Sequence, residues 1–306
     1  MPVEYFYALL AMVGFAGQFS LLKRYQARNV GPEAKSSDAA ERTFFFMAGT
    51  CLISSVLFFG LNAFRFEFAV FSAGVALALA CVSTAANCIA IIVLSHGKMA
   101  VFTLFTMLGG MTLPFIAGTM LWDETLTAPR LIGLLILALS LFLPVLDKTG
   151  GGRKGTKAFY VLCFLTFGLS GMYNTLSKYH ASAGNRGVTT DGFLILFFLF
   201  TAALNALLWL AFILARRRNG EKKASPAPNR GNALNMLGFS AVAGLGYKIQ
   251  LLAAAGLDAS QLYPAVTGGT LLFSAAAGYV FFRERPNKYS LAGIAAAIFA
   301  ILLFVY

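Results

Sequence analysis

One cation lies deep inside an apolar run: Lys248, in the stretch Gly244-Leu-Gly-Tyr-Lys-Ile-Gln250. An ammonium at such depth costs ~2.5–3.5 kcal/mol, so it normally faces a cavity or a partner. Snorkelling is the alternative, but Lys248 stands seven residues before Ala255, roughly 10 Å along a helix, which is a long reach. The twelve acids all fall near the ends of apolar runs or between them. Without an acid to neutralise it, Lys248 would leave a cavity positive and favour a carboxylate or phosphate, as on an amino acid, an organic anion or a phosphorylated metabolite. Gln18, Tyr173, Asn174, Tyr247, Gln250, Tyr263 and Thr267 are placed to add hydrogen bonds, and each is equally suited to bridging two helices.

Other chemistries lack their residues. The two histidines, His96 and His180, have no acid at a useful spacing, which disfavours acid–base or metal-assisted catalysis. Cys51, Cys81, Cys88 and Cys163 sit inside apolar runs without a CxxC or His/Cys ligand spacing, so they read as small core packers. No metal, cofactor or catalytic residue is expected.

The elements that position these residues follow from composition. Hydrophobic residues make up 58% of the chain and charged ones 12%, against a soluble norm of about 25% charged. A spanning helix needs about 20 mostly apolar residues, and ten runs approach that: Tyr5–Leu22, Thr43–Phe64, Phe68–Leu94, Ala100–Trp122, Leu131–Leu146, Ala158–Ser177, Gly192–Leu214, Leu234–Ala255, Ser260–Phe282 and Tyr289–Tyr306. The expected fold class is an all-α membrane protein of ten transmembrane helices. The acidic Met1–Glu4 segment ahead of the first run does not read as a cleaved signal peptide.

The second half repeats the first. Gly109, Gly118, Glu124 and Gly133 recur 160 residues later as Gly269, Gly278, Glu284 and Gly293. At an offset of 154, Gly14 and Gly17 meet Gly168 and Gly171, and Arg24 meets Lys178. The expected units are therefore residues 1–150 and 151–306, five helices each. An odd count makes the second unit enter from the opposite face, giving two inverted five-helix repeats with a site near the midplane. Within that frame Tyr247 meets Asn87, and Lys248 meets Cys88. Asn87 is thus a candidate cavity residue one position out of step with Lys248, about 100° around the helix. Glu124 and Glu284 close the fourth and ninth runs, either as gates or as helix caps and ion pairs.

The net charge of +12 would suggest nucleic acid in a soluble chain, but here it reports orientation, and no nucleic-acid partner is expected. Nineteen of the 24 Lys and Arg residues fall in the links after runs one, three, five, seven and nine, and four on the other side. The positive-inside rule then puts those links in the cytoplasm and both termini outside.

Ten helices in two halves, each ending in a glycine–glutamate–glycine helix pair (Gly118, Glu124, Gly133; Gly278, Glu284, Gly293), resemble the EamA-like transporters of the drug/metabolite transporter superfamily. The resemblance implies a secondary transporter that moves a small polar metabolite by alternating access, in a cell membrane and most simply a bacterial inner membrane. Family members usually keep both termini cytoplasmic, and the charges of this chain argue the reverse. The small multidrug-resistance branch uses a glutamate in its first helix, where this chain has only Glu4 at the edge. The expected partners are the lipid bilayer and a small-molecule substrate, with the protein a monomer or homodimer. A lipid-modifying membrane enzyme and a channel are the competing classes.

Overall fold

A computed structural model describes residues 3–29, 36–94, 99–143, 156–218, 230–282 and 288–304. These form ten α-helices and no strand: α1 (Val3–Asn29), α2 (Ser36–Leu61), α3 (Val70–Leu94), α4 (Met99–Leu121), α5 (Ala128–Phe142), α6 (Lys157–Ala181), α7 (Thr190–Arg218), α8 (Arg230–Gly256), α9 (Ala259–Phe282) and α10 (Lys288–Leu303). Eight of the ten are long and apolar enough to cross a membrane. Helices suit that setting because each satisfies its own backbone polar groups where water cannot. The chain is a multi-pass helical membrane protein. The two shorter helices, α5 with 15 residues and α10 with 16, rise about 22–24 Å against a hydrocarbon core of about 30 Å.

Several helices outrun the apolar segments. α1 continues past Lys23 and Arg24 to Asn29, and α7 runs on to Arg218. The end of α7 is held by Arg216, whose guanidinium lies 2.6 Å from Asp38 and 2.8 Å from Glu41 in the first turns of α2. This contact joins the end of α7 to the start of α2, on the side where α1 ends after Lys23 and Arg24, called here the basic face. On the opposite face the α2–α3, α4–α5, α6–α7 and α8–α9 links meet one another.

Packing crosses between the halves. α1 packs on α8 and α9, α6 on α3 and α4, α2 on α7 and α8, α3 on α7, α4 on α9, and α5 on α10. A cluster of Phe58, Leu79, Phe193, Leu196, Tyr247 and Leu251 forms the core where α2, α3, α7 and α8 converge. Lipid offers no hydrophobic drive for association, so small residues set the closest approaches. A methyl group on Gly14 would stand 3.0 Å from the Cα of Gly246, and one on Gly109 would overlap the carbonyl of Phe167. Large apolar side chains such as Val56, Leu139, Phe164 and Phe281 point outward, as a lipid-facing surface requires.

The α6–α7 link is fastened by Glu67 from the α2–α3 link. Its Oε2 accepts from both the backbone N and the hydroxyl of Thr189, each at 2.8 Å, and its Oε1 accepts from Asn62 at 3.3 Å. An anion here also faces the positive end of the α7 dipole. Partial burial pushes the Glu67 carboxyl up, but the Thr189 and Asn62 hydrogen bonds and the Arg65 charge outweigh it and hold the group below its ordinary value of 4.5. A depressed carboxyl contributes stability that is present above its unfolded value and is lost as pH falls through the folded one. Glu67→Gln should therefore lower the melting temperature of the purified protein at pH 7. The gap to wild type should close as pH falls below 4.5, because the wild-type carboxylate is then protonated too.

Candidate functional site

A central cavity of about 450 Å³ lies among α1, α2, α3, α4, α6, α7, α8 and α9. Eight of the candidate residues line it: Gln18, Asn87, Tyr173, Asn174, Tyr247, Gln250, Tyr263 and Thr267. Tyr247 and Asn87, matched across the repeat, therefore meet in one chamber. No lining residue is an acid, a lysine, an arginine or a histidine.

Lys248 is absent from that lining, and this corrects the expectation of a positive cavity. Its ammonium lies 2.7 Å and 2.8 Å from the two carboxylate oxygens of Asp191. Asp191 stands in the first turn of α7, at the edge of its apolar run, and the packing of α7 against α8 brings that turn level with Lys248. The pair is about a fifth exposed. One residue separates Lys248 from Tyr247, and about 100° of helix rotation turns one to the cavity and the other to Asp191. The argument for an anionic substrate loses its charge.

Aromatic rings pack along the part of the lining away from the basic face. Tyr173, Phe197 and Tyr247 pack with ring centroids 5.4–6.1 Å apart. Tyr247 shares a 2.7 Å hydrogen bond with Ser177. On the basic side, Leu22 and Phe19 of α1, Met47 of α2 and Asn87 of α3 form the wall. Asn174 donates to the Gly110 carbonyl at 2.7 Å, which leaves its own carbonyl oxygen for another donor.

Beyond the tyrosines the α8–α9 link is held at both ends. The Glu124 carboxylate accepts from the backbone amides of Ala259 at 2.6 Å and Ser260 at 2.9 Å, the opening residues of α9. Arg130 of α5 lies 2.8 Å from Asp258 and donates to the Ser260 hydroxyl at 3.2 Å. Lys178, buried at the end of α6, donates to the carbonyls of Ala254 and Leu257 at 2.7 Å and 2.6 Å, where α8 ends. An anion thus meets the positive end of one helix and a cation the negative end of the other. Gly118 makes room for this arrangement, because a Cβ there would occupy the place of the Glu124 carboxylate. Asp123 turns the chain with φ of 51°, and the Glu124 amide returns to the Gly118 carbonyl at 3.1 Å. The glycine–glutamate spacing is therefore the signature of a cap delivered to α9.

Glu284 and His96 lie outside the described residues. His180 shares a 3.0 Å hydrogen bond with Ser72, whose oxygen also accepts from the Val188 amide. The cysteines are free and differ in setting, so the core-packing expectation needs correction. Cys163 is buried, Cys88 partly so, Cys81 exposed, and Cys51 lines the cavity. Among the described residues no cluster of His, Cys, Asp or Glu is suited to a metal. The sequence reading missed Asp191, Lys178 and Arg130, all at run ends, and Thr270, which lines the cavity seven residues after Tyr263 on the same helix face.

No protein-family model matches the chain, and no curated protein does. In fold it is similar to a solved protein described only as "Crystal structure of protein", at a TM-score of 0.69 and 17% identity, over 97% of this chain and 98% of the other. That likeness shows a shared fold.

Removing one partner of an ion pair costs about 3–5 kcal/mol when it is buried and at most about 1 when it is exposed. Lys248→Met should fall between these limits and lower the melting temperature, and Lys248→Met with Asp191→Asn should recover much of the loss. The double variant should keep ligand binding in the cavity, measured by thermal shift, since neither side chain lines it.

Proposed function

We propose that the chain is a secondary transporter that carries a small polar metabolite without net charge by alternating access. The carrying observation is a polar but uncharged cavity at the junction of the two halves, walled off by packed tyrosines and a capped helix link on one side. The proposed architecture is ten spans in two inverted repeats, residues 1–150 and 151–306. Exchanging each helix for the one five places on supports it: α1 on α8 and α9 becomes α6 on α3 and α4, α2 on α8 becomes α7 on α3, and α2–α7, α4–α9 and α5–α10 map onto themselves. The motif residues and this packing favour kinship with EamA-like drug/metabolite transporters. The charge bias favours a cytoplasmic basic face, both termini outside, and residence in a cell membrane. The cavity then stands toward the cytoplasm.

In this cycle Glu124 is the gate rather than a ligand for substrate. Opening the far side requires the α8–α9 link to leave Glu124, Arg130 and Lys178. The Ala259 and Ser260 amides and the Ala254 and Leu257 carbonyls then need water. An inverted repeat would supply a second closure, on the basic face, around the same site. An uncharged cavity lacks the acid and base that a lipid-modifying enzyme needs.

Purified protein in liposomes should show saturable uptake that is accelerated by unlabelled substrate inside. Flux linear in concentration would sink the carrier reading in favour of a channel. Cys51 supplies a reporter of the gate. With Cys81, Cys88 and Cys163 replaced by alanine, a membrane-impermeant maleimide should label Cys51 from the basic face. Glu124→Gln, which can accept only one of the two amide bonds, should raise labelling from the opposite face several-fold. Unchanged labelling from that face would remove Glu124 from the gate.

A further inference from the structure

Two buried hydroxyls on residues that line the cavity have nothing to bond among the described residues. Tyr263 is 1% exposed and Thr270 is 5% exposed. Neither Tyr263 Oη nor Thr270 Oγ1 has a hydrogen-bond partner among the described residues, yet both residues line the cavity. A buried polar atom left unpaired costs about 1–3 kcal/mol, and such groups in a folded protein need an explanation. Three other lining threonines need none. Thr50 donates to Phe46 O, Thr106 to Phe102 O and Thr201 to Phe197 O, each in its own helix.

The two free hydroxyls form a row. Tyr263 and Thr270 are two turns apart on α9, about 10 Å along its axis, and Thr267 lies between them on the same face. The first half has no such row, since the positions 160 residues earlier hold Thr103, Met107 and Gly110. The polarity of α9 is therefore an addition to the repeat and not a requirement of its packing.

Charge sets the other half of the ligand's description. An ion entering this cavity would lose hydration with no opposite charge to meet it, a heavy cost in a medium of low dielectric. Lys248 cannot supply one while Asp191 holds it. We infer that Tyr263 and Thr270 are the hydrogen-bond donors for the transported solute, and that the solute is an uncharged metabolite with several acceptor atoms along one edge. This inference rests on the transporter reading for the word transported, but the site itself is a claim about binding. The amide oxygen left free on Asn174 asks the solute for a donor as well. Phe15 and Phe197 give the same chamber apolar surface, so a solute with a flat unsaturated part fits better than a simple polyol.

The test uses the full chain in detergent with uridine and adenine as neutral probes, and glutamate and glycerol 3-phosphate as anionic ones. A neutral probe should raise the melting temperature by mass action and the anions should not. Tyr263→Phe and Thr270→Val should each weaken binding of that probe roughly 3- to 10-fold, while the melting temperature of the ligand-free protein holds or rises, because each change deletes an unpaired polar atom. A merely structural hydroxyl would do the reverse, lowering stability and leaving affinity unchanged. The inference is overturned by a shift with the anions alone, by no shift with either neutral probe, or by variants that bind as tightly as wild type. Neutral binding without counterflow in liposomes would leave the site standing and defeat the transporter reading, whereas counterflow of an anion alone would do the opposite.

Discussion

The arrangement on which the rest depends is the carboxylate of Glu124 against the first amides of α9. A helix N-terminus within a membrane protein has amides that neither lipid nor its own backbone can satisfy. Here they are met by a side chain from the α4–α5 link, so a local need of one helix becomes a tie between the two halves. Lys178 does the same for the carbonyls that end α8. The residues between those termini, Leu257 and Asp258, are fixed through contacts that the link does not make with itself. Whatever happens at this link is felt on α8 and α9, which carry Tyr247, Gln250, Tyr263, Thr267 and Thr270 into the cavity.

The same economy of charge explains why the cavity is neutral. Among the described residues, three cations within reach of the helices have a carboxylate counterpart: Lys248 has Asp191, Arg130 has Asp258, and Arg216 has Asp38 and Glu41. Desolvating a lone charge is costly enough that a fold keeps it only when it is paired or at work. With these charges engaged at helix ends, recognition in the chamber is left to hydroxyls, amides and ring faces. Such groups discriminate through hydrogen bonds that a wrong solute leaves unmade.

How much of this could be read beforehand depended on whether the signal was local. Ten helices were legible because an apolar run is a property of a single segment. Their ends were less so, since α1 and α7 carry on through lysines and arginines that break the hydropathy but not the helix. Eight cavity residues were legible because a polar side chain within an apolar run must face something other than lipid. Asp191 was not, because its pairing with Lys248 joins positions 57 residues apart, and nothing at either end of α7 advertises which helix it meets. Asp191 stands at the edge of its apolar run, yet the first turn of α7 lies level with the eighth residue before α8 ends. The role of Glu124 was visible only as a pair of alternatives, gate or cap, and the geometry makes the cap the means by which it would act as a gate.

Repeat and recognition pull in different directions, and the chain keeps them on different residues. Glycines matched across the halves, such as Gly17 with Gly171 and Gly109 with Gly269, belong to helix contacts, where a close approach is wanted twice. The polar residues of the chamber break that match: Tyr263, Thr267 and Thr270 on α9 stand opposite Thr103, Met107 and Gly110 in the register of α4, and Gln250 opposite Ala90. On the transporter reading, a solute needs to be held only once, in one orientation, whichever side is open. Two closures of similar energy need matched packing, and a single bound pose needs unmatched side chains. Putting glycine at the contacts and hydroxyls on one helix meets both demands without either compromising the other.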